Sequence, residues 1–312
     1  DASVNLYNKK YSDYISSDLL NPVFTSMLAR DIFAPVQKFT VDSNRYIKDR
    51  GYAFEKKLSD NTNGLLNIQL KDIAADEKQA RVPLIIFNSV IKNDARKLLI
   101  STQPVSFMMK SRYFQADSSV SADAIDFAAL FKKQGPMNLR ILTAMRMNAT
   151  FPYVLPNVWL PSQPVMDVMD AGLRDNVGTE TSLRFIDNFK EWIKENTGGV
   201  VLLQLRDRDV DEWHEPYESS SLTDVLVTPA TMLQHNWFSL QNYYQADQFS
   251  YFNSNNDTLL QKINILYKPT KTENGATLNF HLSAREKREI MQSFYSPVNT
   301  NAVKKMQQLL KD

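Results

Sequence analysis

Residues 165–205 read VMDVMDAGLRDNVGTETSLRFIDNFKEWIKENTGGVVLLQL. The opening VMDVM is a short run of strand type, and Asp170-Ala171-Gly172 is the turn that ends it. Leu183, Ile186, Phe189 and Ile193 recur at near-helical spacing, with Thr179 or Thr181 placed to cap the helix and Gly198 to stop it. The run 200–205, VVLLQL, is a second buried strand. Strand, helix, strand in that order predicts a βαβ unit and therefore a parallel pair. The expected fold class is α/β: three layers, α/β/α, around a mainly parallel central sheet.

Upstream, 83–90 (PLIIFNSV) and 98–102 (LLIST) have the length and two-sided apolarity of strands covered on both faces. Residues 139–147 (LRILTAMRM) predict a helix, as do 123–133, and the proline-rich stretch 152–164 is irregular. Residues 1–14 open as a helix with Asp1 as cap, and Asp49-Arg50-Gly51 is a turn before another helix at 52–58. Downstream, 259–267 and 277–282 alternate like strands around Asn274-Gly275, the signature of a hairpin. Ser283 and Glu286 form a capping box for a helix to about residue 294, and 300–310 is a last helix. The expected organisation is one core over 1–205 and an extension over 206–312, carrying the hairpin and helices, packed on the same domain.

Composition narrows the functions open to such a chain. The 312 residues hold 36 Lys plus Arg against 35 Asp plus Glu, with 43% hydrophobic and 23% charged residues, the profile of a globular chain. A net charge of +1 supplies no basic stripe for nucleic acid. The absence of cysteine excludes disulfides, thiolate metal sites and a cysteine nucleophile. No run of about 18 apolar residues predicts a membrane span. His214, His235 and His281 lie far apart. The acidic loop with Asp207, Asp209, Asp211, Glu212, Glu215 and Glu218 lacks the glycine and spacing of a calcium loop and reads as solvated surface. The aromatic stretch 237–252 reads as core packing, or else as the lining of an acyl pocket or a lipid-facing patch.

Asp170 is the residue with a chemical reading. A carboxylate at the carboxyl end of a buried strand stands where open α/β sheets bind ligands, and partial desolvation makes it a better base. The same three residues also read as a plain turn, with Asp170 holding backbone N–H groups.

The context of this turn resembles the patatin-like phospholipase family. The carrying residues are Asn148-Ala-Thr-Phe-Pro-Tyr-Val-Leu-Pro156 followed by Met169-Asp170-Ala171-Gly172-Leu-Arg-Asp-Asn176, with Asp18-Leu-Leu-Asn-Pro22 and Asp49-Arg50-Gly51 similar to segments of bacterial members. In that family a strand ends in Asp-Gly-Gly or Asp-Gly-Ala and an Asn follows; here Asp170, Gly172 and Asn176 match, Ala171 replaces the usual first Gly, and Gly178 stands where Pro is frequent. The resemblance implies a serine acyl hydrolase of phospholipase A or lysophospholipase type, with a Ser–Asp dyad, Asp170 as general base, and no metal or cofactor. Its implied substrates are lipid or lysophospholipid esters, with peripheral membrane contact and no nucleic acid. None of the eight glycines starts Gly-x-Ser-x-Gly or belongs to a glycine-rich oxyanion loop. Ser3 lacks both flanking glycines. The patatin-like core is therefore expected to be N-terminally incomplete, with the serine upstream of residue 1 and the chain start beside Asp170. The alternative is a non-catalytic lipid-binding or assembly module on the same fold.

Overall fold

The computed structural model describes residues 5, 8–31, 33, 37–150, 154–207, 222–253, 259–269, 275–276 and 280–311, with 222–236 described by backbone alone. By packing, the chain divides into two units, Asp1–Ala171 with Asn279–Ser283, and Gly172–Leu278 with Ala284–Asp312.

The first unit opens with α1 (Lys9–Ser16) and α2 (Leu20–Ser26). The side chain of Asn8 caps α1 by accepting from the Lys10 N–H; the expected cap, Asp1, lies outside the described residues. A tight hairpin, β1 (Lys38–Val41) and β2 (Asn44–Ile47), alternates cleanly between faces: Phe39 stacks on buried Tyr46 while Lys38 and Arg45 take the other side. Then come α3 (Arg50–Asn61) and α4 (Leu70–Lys78). The apolar runs form β3 (Phe87–Ile91) and β4 (Lys97–Ile100), and β5 (Ala124–Asp126) leads into the short α5 (Phe127–Leu130). After α6 (Ile141–Met147), β6 (Val158–Leu160) and β7 (Met166–Met169) complete the unit's strands.

These strands build a five-stranded sheet in the order β5-β4-β3-β7-β6. The sheet is mixed, which corrects the expectation of a mainly parallel one. Only β4 and β5 run parallel; β3/β4, β3/β7 and β6/β7 are antiparallel. Ile91, Leu98, Ile100, Val158, Leu160 and Val168 bury their side chains against Phe127, Phe131, Ala144 and Met147 in one core. At roughly 25 cal/mol per Å2 of apolar area removed from water, such side chains contribute about 1.5–3 kcal/mol each.

A buried polar network ties α3 to α6. Glu55, 2% exposed, accepts from Arg140 Nη1 at 2.5 Å, Thr143 Oγ1 at 3.2 Å and Arg146 Nη1 at 3.5 Å. Arg146 also reaches Asp49, the N-cap of α3, at 3.1 Å. The Asp49-Arg50-Gly51 turn thus has a structural occupation. Asp49 caps the helix through the Tyr52 N–H and Arg50 binds Asp31 at 2.7 Å. Gly51 leaves room for Arg146, whose guanidinium would lie 2.4–2.6 Å from any added Cβ.

The second unit holds α7 (Gly172–Asp175), α8 (Thr179–Asn188), α9 (Lys190–Asn196), β8 (Val200–Arg206), α10 (Leu222–Phe252), β9 (Leu260–Leu266), α11 (Ala284–Phe294) and α12 (Pro297–Leu309). β8 and β9 pair in parallel over seven residues each, from Val200↔Leu260 to Arg206↔Leu266. Two expectations are corrected here. The strand at 166–169 does not pair with β8: its partners are β3 and β6. β9 pairs with β8, and the expected second hairpin strand does not extend over 280–282; the turn at Asn274 and residues 277–279 lie outside the described residues. The long crossover that a parallel pair requires contains α10. Leu183, Ile186, Ile193, Leu259 and Leu260 form this unit's core, with Phe249 and Phe252 packed on it.

Candidate functional site

Asp170 is the first residue beyond β7 and closes, with Ala171, the first unit's main segment. Its strand lies between β3 and β6, with Val168 paired to Ile91 on one side and Val158 on the other and wholly buried. That packing fixes the backbone from which Asp170 projects, and the residue itself is half-buried. Extending the pairing Val90↔Met169 by one residue sets Asp170 opposite Ser89 of β3. Ser89 is fully buried, and its hydroxyl has no hydrogen-bond partner among the described residues. Sequence reasoning did not single out Ser89, since nothing local in FNSVI marks it; only strand pairing relates it to Asp170.

Gly172 and Asn176 belong to the second unit, where one side chain holds both. Gln241 of α10, 8% exposed, donates from Nε2 to the Gly172 carbonyl at 2.9 Å and accepts the Asn176 N–H on Oε1 at 3.3 Å. Trp237 Nε1 donates to the Leu173 carbonyl at 2.5 Å. The short α7, too brief to stand alone, is clamped by these bonds from α10.

The carboxylate most buried in this stretch is Asp175, which sequence reasoning passed over. At 2% exposure it accepts the Glu180 N–H at 3.0 Å, the Thr181 N–H at 2.8 Å, the Thr181 hydroxyl at 2.7 Å and Gln245 Nε2 at 3.2 Å. Asp175 thereby satisfies the orphan donors at the start of α8, where its charge also suits the positive helix end. Thr179 and Thr181, the expected caps, take other roles. Thr179 accepts from Gln204 Nε2 of β8 at 2.6 Å, and Thr181 donates to Asp175. Gly178 precedes α8 at φ +69°. That angle lets the chain fold back toward Asp175 and is closed to proline, whose ring fixes φ near −65°.

The remaining candidates separate. His281 pairs with Asp18 at 2.9 Å. Burial pushes the Asp18 carboxyl up, but bonds from His281 and from the Asn21 and Leu20 N–H groups outweigh it and set it below the ordinary value. Ser3, the chain start expected beside Asp170, and the acidic loop from residue 208 onward lie outside the described residues. Of the aromatic stretch, Phe249 and Phe252 pack in the core, whereas Tyr243, Tyr244 and Tyr251 of α10 are exposed. Among the described residues no helix is long and apolar enough to cross a membrane.

Comparison with known proteins adds no assignment: no family model matches the chain, and neither curated proteins nor solved structures provide a match.

Proposed function

We propose that this chain carries the base of a patatin-like Ser–Asp acyl hydrolase acting on lipid or lysophospholipid esters, with Asp170 as that base. The reading rests on one observation: the half-buried carboxylate follows directly on a strand paired on both sides. A base so anchored has little freedom to lose when a hydroxyl is presented to it. In the proposed reaction Asp170 takes the proton of a serine Oγ as that oxygen bonds the ester carbonyl carbon. The proton passes to the leaving alcohol as the C–O bond breaks, and water releases the acyl group by the same sequence. The three-layer patatin-like arrangement belongs to this proposal. Because no Gly-x-Ser-x-Gly occurs in residues 1–312, the reading takes the serine from polypeptide outside them.

The test is hydrolysis of p-nitrophenyl butyrate and of lysophosphatidylcholine by the product of the complete gene, wild type against Asp170→Asn. Removing the base should lower kcat by at least about 100-fold with KM little changed. Equal rates, or an inert wild type, overturn the reading.

A second reading, a non-catalytic lipid-binding or assembly module, is favoured by two observations. The chain has no nucleophile elbow of its own, and Gly178 adopts a backbone angle barred to the proline frequent in the family. Lipid binding that Asp170→Asn leaves intact, in a wild type without esterase activity, is its signature.

A further inference from the structure

The first unit contains a groove of about 710 Å3, within the roughly 300–1,000 Å3 range of small-ligand sites. The β1–β2 hairpin forms one wall. Because Lys38 pairs with Ile47 and Thr40 with Arg45, the register sets Lys38 and Arg45 on the same face, opposite the buried Phe39/Tyr46 stack. Lys133 approaches from the turn after α5, and β6 contributes Trp159. The groove thus gathers three cations and no carboxylate among its lining residues.

The neighbouring charges sharpen the point. Lys38, Arg45 and Lys133 have no acidic partner among the described residues, nor do Lys48 and Lys132 beside them in the chain, whereas Lys71 and Lys92 are paired. Two acids that lie near in sequence or register are engaged elsewhere. Asp42, at the hairpin tip, accepts from Lys71 at 2.9 Å and Gln69 at 3.0 Å. Asp167, across from Trp159, pairs with Lys92 at 3.3 Å. Three like charges face one hollow with their repulsion unrelieved, so an anion entering it meets attraction without displacing a carboxylate.

Trp159 and Val165, which also line the groove, are 51% and 56% exposed. A pocket for a soluble nucleotide would enclose an aromatic ring; here about half of Trp159 is open to solvent. Tryptophan at headgroup level, with Lys and Arg reaching phosphates, is the pattern of a membrane interface.

We propose that this groove docks the chain on an anionic phospholipid surface, with Lys38, Arg45 and Lys133 holding headgroup phosphates and Trp159 and Val165 entering the interface. The site is separate from Asp170: Val165 and Asp170 flank β7 at opposite ends, roughly 16 Å apart at about 3.3 Å per residue. It stands whether or not Asp170 acts as a base.

The test is co-sedimentation with vesicles of phosphatidylcholine alone or mixed equally with phosphatidylglycerol. Three cations near the surface, each adding about fivefold, predict roughly 100-fold stronger partition into the mixed vesicles, lost at molar salt. The triple variant Lys38→Gln/Arg45→Gln/Lys133→Gln changes only exposed side chains and should bind both vesicles alike. The control Lys56→Gln/Lys71→Gln/Lys92→Gln, with the same charge change, should keep most of the preference. The blue shift of indole emission on mixed vesicles should shrink in Trp159→Phe, and Asp170→Asn should partition like wild type. Equal binding to both vesicles by the wild type, or an unchanged preference in the groove variant, overturns the proposal. So does saturable binding of inorganic phosphate or glycerol phosphate without vesicle binding, which would make the site one for a soluble phosphate compound.

Discussion

Replacing Gly51 by alanine tests the claim that the α3–α6 network is held tightly. Gly51 is the second residue of α3, and a Cβ there would lie 2.4 Å from the Arg146 Cζ, so one of them must move by about 1 Å to reach ordinary contact. In an open helix the change would stabilise by about 1 kcal/mol, because alanine is the better helix former. Here the guanidinium is the tip of a flexible side chain, but one fixed by Asp49 at 3.1 and 3.4 Å and Glu55 at 3.5 Å, with its side chain 5% exposed. Pulling it from those partners leaves buried charge poorly compensated, a loss of about 2–4 kcal/mol. Net destabilisation should be about 1–3 kcal/mol, read as a lower urea midpoint with an unchanged slope. The decisive comparison is the double-mutant cycle: in an Arg146→Met background, Gly51→Ala should be neutral or stabilising by up to about 1 kcal/mol. If Gly51→Ala costs nothing in the wild type, or costs the same in both backgrounds, Arg146 is not anchored as described.

Two further stability predictions concern other carboxylates. Asp175→Ala strips the start of α8 of its acceptor and strands the Glu180 and Thr181 N–H groups, so it should cost about 2–4 kcal/mol; a cost under about 0.5 kcal/mol in urea denaturation would refute the cap assigned to Asp175. Asp18 carries a pH signature. Its folded-state carboxyl sits below its unfolded value, so its stabilisation is present above about pH 4 and is lost as acid titrates the folded form. Stability measured from pH 6 to pH 3 should therefore fall less steeply in Asp18→Asn and in His281→Ala than in the wild type, and identical slopes would remove the Asp18–His281 pair from the account.

The local pattern along the chain determined several element positions but not all: β5 lies inside the expected helix 123–133, β6 lies inside the stretch read as irregular, and the β1–β2 hairpin was not foreseen. VMDVM and VVLLQL are strands, LRILTAMRM is largely a helix, and Ala284–Phe294 begins beside the Ser283 capping signal. These follow from periodicity and terminal chemistry, which act within a few residues. Which strands meet does not. The strand–helix–strand order of 165–205 predicted pairing between sequence neighbours, yet β7 inserts between β3 and β6, and β8 waits for β9 beyond α10. Pairing depends on long-range burial and loop closure, to which composition within a window is blind. The same holds for side chains. Asp170 was legible because it ends a strand, while Asp175 became a helix cap only once Gly178 turned the chain and Gln245 arrived from 70 residues away. Lys38, Arg45 and Lys133 read as scattered surface charges in a chain of net +1. Tertiary structure made them one groove by bringing together a hairpin face and a turn nearly a hundred residues apart, because electrostatic fields add by distance in space and not along the chain.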